Sequence, residues 1–131
     1  MNNLSHEIRQ CRAGVVNNPY QGTDRKVVFV CSMGILRSAT GARLYAHKYN
    51  TRTAGTWDDA LVTLTDKLIL WANQLVFVNQ ENYTQALRKW ENDEDMVLTI
   101  QDKAVVLNIP DNFEHMHPEL INAFNNQYEG L

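Results

Sequence analysis

Lys26-Val27-Val28-Phe29-Val30-Cys31-Ser32-Met33-Gly34-Ile35-Leu36-Arg37-Ser38 is the stretch that decides the fold. Its first part, Lys26 to Val30, is a compact β-branched and aromatic run ending at Cys31. That is the pattern of a strand buried on both faces. Ser32 to Leu36, with Gly34 inside it, reads as a short loop. From Ser38 to about Tyr49 the sequence turns helical, with Ala39, Ala42, Leu44, Ala46 and Tyr49 available for packing. Small residues at Ala39, Gly41 and Ala42 let the first turn of that helix approach a sheet closely.

Working outward, the same alternation repeats. Thr51 to Gly55 is a short, weak strand candidate. Thr65 is placed to cap a helix running through Trp71. Gln74 to Val78 and Ala104 to Ile109 are strongly apolar strand candidates. Glu81 to Glu91 reads as helix, and Glu94 to Gln101 fits either state. Pro118 suits a first helical turn, with the helix continuing to about Tyr128. Upstream, Leu4, Ile8, Cys11 and Val15 recur at helical spacing over residues 4–16, followed by a loop around Asn17 to Gly22. Strands alternating with helices predict an α/β class, a doubly wound parallel sheet with helices on both faces. The expected organisation is an N-terminal helix and loop over residues 1–22 and one α/β domain over residues 23–131.

Composition narrows the function. The chain has 131 residues, 44% hydrophobic and 21% charged, which suits one soluble globular domain. Its net charge of -3, from 12 Lys and Arg against 15 Asp and Glu, argues against nucleic acid as a partner. The apolar runs are too short to span a bilayer, so no membrane partner is expected. Residues 1–10 include Glu7 and Arg9 and lack an apolar signal core. Two cysteines, Cys11 and Cys31, make no disulfide framework and point to a reduced, cytoplasmic compartment.

In a parallel sheet, ligands bind at the carboxyl ends of the strands. The loop after Val30 and the segment after Ile109 therefore belong on one rim. A short loop closing onto a helix start points the N–H groups of Ser32, Met33, Gly34, Ile35, Leu36 and Arg37 at one spot, an anion nest. Arg37 adds a planar, bidentate fork for phosphate oxygens. Cys31 then lies beneath the anion, where such donors favour the nucleophilic thiolate. The bland alternative is a buried core cysteine; the strand before it and the loop and helix after it favour the reactive reading.

The run Cys31-x5-Arg37-Ser38, after Val27-Val28-Phe29-Val30, resembles the low-molecular-weight protein tyrosine phosphatases. Thr53-Ala54-Gly55-Thr56 is similar to the Ser-Ala-Gly-Thr segment of that family. Trp71 to Val78 resembles its helix-to-third-strand join. Ile109-Pro110-Asp111-Asn112-Phe113 with Met116-His117-Pro118-Glu119-Leu120-Ile121 is similar to a bacterial and phage branch. The likeness covers residues 26 to 128 and implies a four-stranded parallel sheet and a two-step phosphatase without metal or other cofactor. It implies that Cys31 attacks phosphorus, Arg37 holds the equatorial oxygens and Ser38 hydrogen-bonds the sulfur. The implied substrate is protein phosphotyrosine; a small phosphomonoester would use the same loop. Met33 and Gly34 replace the family's usual Gly-Asn, and Leu36 stands where a protective second cysteine is common.

The family's general acid is an Asp before Pro on the last loop; here the order is Pro110-Asp111. Asp111 is the acid candidate, since a carboxyl group near an anion and an apolar wall holds its proton more tightly. The alternative is a turn aspartate. His117, before Pro118, is the reserve, and Asp58 and Asp59 could also reach the rim. Trp57 and Phe113 are candidate walls of a substrate rim. His115 and His117 without a nearby Cys or carboxylate set give only a weak zinc signal, so no metal is expected. Two rival functions stay open. An arsenate reductase-like thiol enzyme needs a resolving thiol, and only Cys11 is available. A phosphate-binding regulatory module without turnover needs only the loop.

Overall fold

The computed structural model describes residues 25–110, 112 and 114–131. The expected helix over residues 4–16, Cys11, the boundary at residue 22, Asp111 and Phe113 lie outside the described residues. The described elements run β1 Lys26–Cys31, α1 Arg37–Leu44, β2 Asn50–Gly55, α2 Asp66–Trp71, β3 Gln74–Phe77, α3 Gln80–Lys89, α4 Glu94–Lys103, β4 Ala104–Val106 and α5 Pro118–Gln127.

The four strands form one parallel sheet in the order β2-β1-β3-β4. The sequence of β1 explains its central place, because Val27 through Val30 are wholly buried. Alternate residues feed two cores. Val28 and Val30 join Leu75, Phe77, Ile69, Ala86 and Ile100, beneath α2, α3 and α4. Val27, Phe29 and Cys31 join Val76, Leu120, Phe124 and Tyr128, beneath α1 and α5. Gly41 permits the close approach of α1, since a Cβ there would lie 2.6 Å from the Phe29 ring. Phe29 is held edge-on by Phe124 and Tyr128, with ring centroids 6.0 and 5.5 Å away.

The chain leaves β1 for β2 on one side and returns to β3 on the other. Strand order therefore reverses at β1, and the crevice at its carboxyl end is where a doubly wound sheet binds ligands. Four helices open with a side-chain cap: Thr65 on α2, Asn79 on α3, Asp93 on α4 and His117 on α5. Among the described residues α1 alone has none, its N-cap being Leu36. Its first N–H groups are thus left to the crevice rather than to a side chain.

Several boundaries differ from expectation. The first helix stops at Leu44 rather than Tyr49, and Tyr45 to Lys48 form turns. Glu94 to Gln101, compatible with either state, lies in a helix, Glu94–Lys103, capped by the Asp93 carboxylate on Met96 N–H at 3.1 Å. The last strand is short, but Leu107 and Ile109 N–H still donate to Phe77 and Val78 carbonyls, carrying the chain to the rim. No described helix is long and apolar enough to cross a membrane.

Candidate active site

The loop from Cys31 to Leu36 is shaped by what takes its carbonyls. The Cys31, Ser32 and Met33 carbonyls accept from Thr56, Trp57 and Leu61 N–H at 2.9, 3.1 and 3.2 Å. The Gly34 carbonyl accepts from Thr53 Oγ1 at 2.9 Å. Four successive carbonyls are thereby drawn to one side. In a trans peptide the next N–H points the opposite way, so those of Ser32 through Ile35 turn into the loop. Gly34 N–H illustrates the result, donating to Cys31 Sγ at 3.2 Å. Gly34 has φ +81°, a left-handed conformation open to glycine at no steric cost.

Cys31 Sγ lies 3.0 Å from Ser38 Oγ, which contacts Thr53 Oγ1 at 2.5 Å. All three residues are buried. Each hydroxyl has one proton, which leaves two arrangements. With a thiol, Cys31 donates to Ser38, Ser38 to Thr53 and Thr53 to the Gly34 carbonyl. With a thiolate, Thr53 turns its proton from the Gly34 carbonyl to Ser38, and Ser38 donates to the sulfur. The chain of hydroxyls serves either protonation state without an orphaned proton.

Above the sulfur is a pocket of about 140 Å³ lined by Cys31, Ser32, Met33, Leu36, Arg37 and Trp57. Arg37 is 5% exposed, and its Nη1 donates to the Ile109 carbonyl at 3.0 Å. A guanidinium carries five N–H donors in a fixed fork. One buried arginine on this wall can therefore serve both the carbonyl and an oxyanion. The sulfur, the inward N–H groups and the arginine make an anion site of single-phosphoryl scale.

The structure brings Cys31, Ser32, Met33, Leu36, Arg37 and Trp57 together, with Gly34 and Ser38 directly beneath. Ile35 differs, its side chain packing on the core under α2, α3 and α4. Trp57 is 46% exposed and also walls a neighbouring cavity of about 460 Å³ with Thr56, Asp58, Asp59, Gln85, Arg88 and Lys89. His117 caps α5, its Nδ1 accepting from Glu119 N–H at 3.1 Å. His115 is half-buried, with Nδ1 3.3 Å from Thr40 Oγ1.

Sequence reasoning missed a second set of supports. Asn82 Nδ2 donates to Ser32 Oγ and Thr56 Oγ1, both at 3.3 Å. Thr56 Oγ1 donates to Gln85 Oε1 at 2.5 Å. Thr51 and Thr53, buried inside β2, are likewise paired, donating to the Ala42 and Gly34 carbonyls, since a buried hydroxyl needs a partner.

The fold and the site thus define a doubly wound α/β protein with a loop of inward N–H groups, a cysteine and an arginine at the switch point of its sheet. The solved structure of YwlE arginine phosphatase from Geobacillus stearothermophilus has this fold. The superposition gives a TM-score of 0.58 at 15% identity and covers 79% of this chain and 85% of that one. No protein-family model and no curated protein sequence matches the chain.

Proposed function

We propose that the protein is a cysteine-dependent phosphatase that hydrolyses phosphomonoesters through a phosphocysteine, without a metal or other cofactor. The observation that carries this reading is the sulfur of Cys31 set under inward N–H groups, 3.0 Å from Ser38 Oγ, in a pocket shared with Arg37. The sequence resemblance and the likeness to a solved phosphatase fold point the same way.

In the first step the Cys31 thiolate attacks phosphorus. The S–P bond forms, the ester P–O bond breaks, and the leaving oxygen takes a proton from Asp111. Charge spreads over the three equatorial oxygens, and Arg37 with the loop N–H groups of Ser32 to Leu36 stabilises it. In the second step water attacks phosphorus and gives its proton to the Asp111 carboxylate. The S–P bond breaks, and Ser38 donates to the departing thiolate. The assignment of Asp111 rests on its place two residues after Ile109, whose carbonyl is tied to Arg37.

The substrate we assign is protein phosphotyrosine or another phosphomonoester in a soluble, cytoplasmic setting, with Trp57, Phe113 and His117 on the rim. The substrate named for the structural neighbour makes phosphoarginine the first competitor to compare with phosphotyrosine. The test is hydrolysis of p-nitrophenyl phosphate with chelator present, read as inorganic phosphate. Wild type turns over, and Cys31→Ser loses at least ~10⁴-fold, as nucleophile removal does elsewhere. A folded wild type that binds vanadate but releases no phosphate from aryl or arginine phosphates would leave only a phosphate-binding module.

A further inference from the structure

The connection from β4 to α5 is pinned by α1 at both ends. At its start, Arg37 Nη1 donates to the Ile109 carbonyl at 3.0 Å. At its end, Met116 N–H donates to Thr40 Oγ1 at 2.8 Å, and the same hydroxyl lies 3.3 Å from His115 Nδ1. Arg37 and Thr40 are three residues apart on one helix, so they share a face. Thr40 is wholly buried, a position where a hydroxyl needs partners. Met116 has φ 60°, the one non-glycine residue among those described with positive φ. Such a conformation persists where surrounding contacts hold it, and the Thr40 hydroxyl accepts from its N–H.

We infer that Thr40 is a positioning residue for the leaving-group proton transfer. The helix that opens at the phosphate loop also fixes where the connection carrying Pro110 through Met116 returns to the rim. The phosphoryl clamp and the Met116 end of that connection are thereby tied to one face of the same helix. This inference rests on the phosphatase reading above. It predicts a defect in protonating the leaving oxygen, with the nucleophile and the oxyanion donors intact.

The experiment compares wild type, Thr40→Val, Thr40→Ser and Asp111→Asn on phenyl phosphate and p-nitrophenyl phosphate. Phenolate needs its proton far more than nitrophenolate does. Thr40→Val is expected to lose about tenfold or more on phenyl phosphate, the scale of a misplaced catalytic group, and far less on p-nitrophenyl phosphate. Thr40→Ser, which keeps the hydroxyl, restores the phenyl phosphate rate. The amide of Met116 exchanges faster in Thr40→Val than in wild type, and Thr40→Ala replaces it should valine disturb folding. Equal losses on the two esters, no loss on either, or unchanged Met116 exchange would overturn the inference while leaving the phosphatase reading standing. Wild type inert toward both esters overturns both.

Discussion

The turn after β1 and the connection after β4 meet at Arg37, yet they are built differently. The turn is short and dense: four carbonyls in succession are taken by Thr56, Trp57, Leu61 and Thr53, and its glycine sits at φ +81°. The connection after β4 is longer, and α1 holds it through the Ile109 carbonyl and the Met116 N–H. Under the proposed phosphatase function, the difference matches two chemical tasks. Binding a phosphoryl group needs many donors fixed in advance. Moving one proton needs a single group brought to the right atom. A rigid cradle and a tethered connection, indexed by one helix, satisfy both.

Among the variants that separate the two regions, the one with the largest expected effect strikes both at once. Arg37→Lys removes the fork that serves both the pocket and Ile109, and lysine is a point charge without that geometry. Turnover should fall about 10²–10³-fold. The loss should be similar on phenyl and p-nitrophenyl phosphate, unlike the selective defect of Thr40→Val. A loss confined to phenyl phosphate would mean that Arg37 acts through the connection alone.

Gly34→Ala strikes the turn alone. A Cβ there would stand 3.0 Å from Ala54 C and Gly55 N, at a left-handed φ. Strain of about 1–2 kcal/mol is expected, lowering Tm and weakening vanadate binding, measured by melting with and without vanadate. Unchanged vanadate affinity would show that the cradle tolerates deformation and is less preorganised than described here.

The smallest effect lies away from both regions. Tyr128 donates to Gln74 Oε1 at 2.7 Å, and burial, then Tyr49 and Tyr45, pushes its phenol well above the ordinary 10.0. Burial, then Tyr49, also raises Tyr45. The folded state thus favours the neutral phenols. Their contribution is fully present below pH 10.0, where an unfolded tyrosine is neutral too, and is lost as pH rises beyond it. Denaturation midpoints should fall on the alkaline side, and Tyr128→Phe should flatten that fall. An identical slope in the variant would shift the effect to other groups.

What could be read from the sequence follows the same division. The turn after β1 was legible because its signals are local: an apolar run, a cysteine, a glycine, an arginine and a helix in thirteen residues. The caps at Thr65 and the first turn at Pro118 were legible for the same reason. Thr53 was not, because it reaches Ser38 only through the β1–β2 register, where it faces Phe29. Thr40 was not, because a threonine inside a helix carries no mark of a partner 76 residues away. Glu94 to Lys103 was obscured by its acidic start, which serves as a cap and dipole complement. His117 shows a residue with two readings: its imidazole caps α5, while its place on the rim remains part of the proposal.

The most direct test of the account is to stop the reaction of wild type with p-nitrophenyl phosphate by acid within a turnover and to map the protein by mass spectrometry. The account predicts a phosphoryl group on the peptide containing Cys31, absent from Cys31→Ser. Turnover with no phosphorylated Cys31 at any quench time, or a phosphoryl group on another residue, would contradict it.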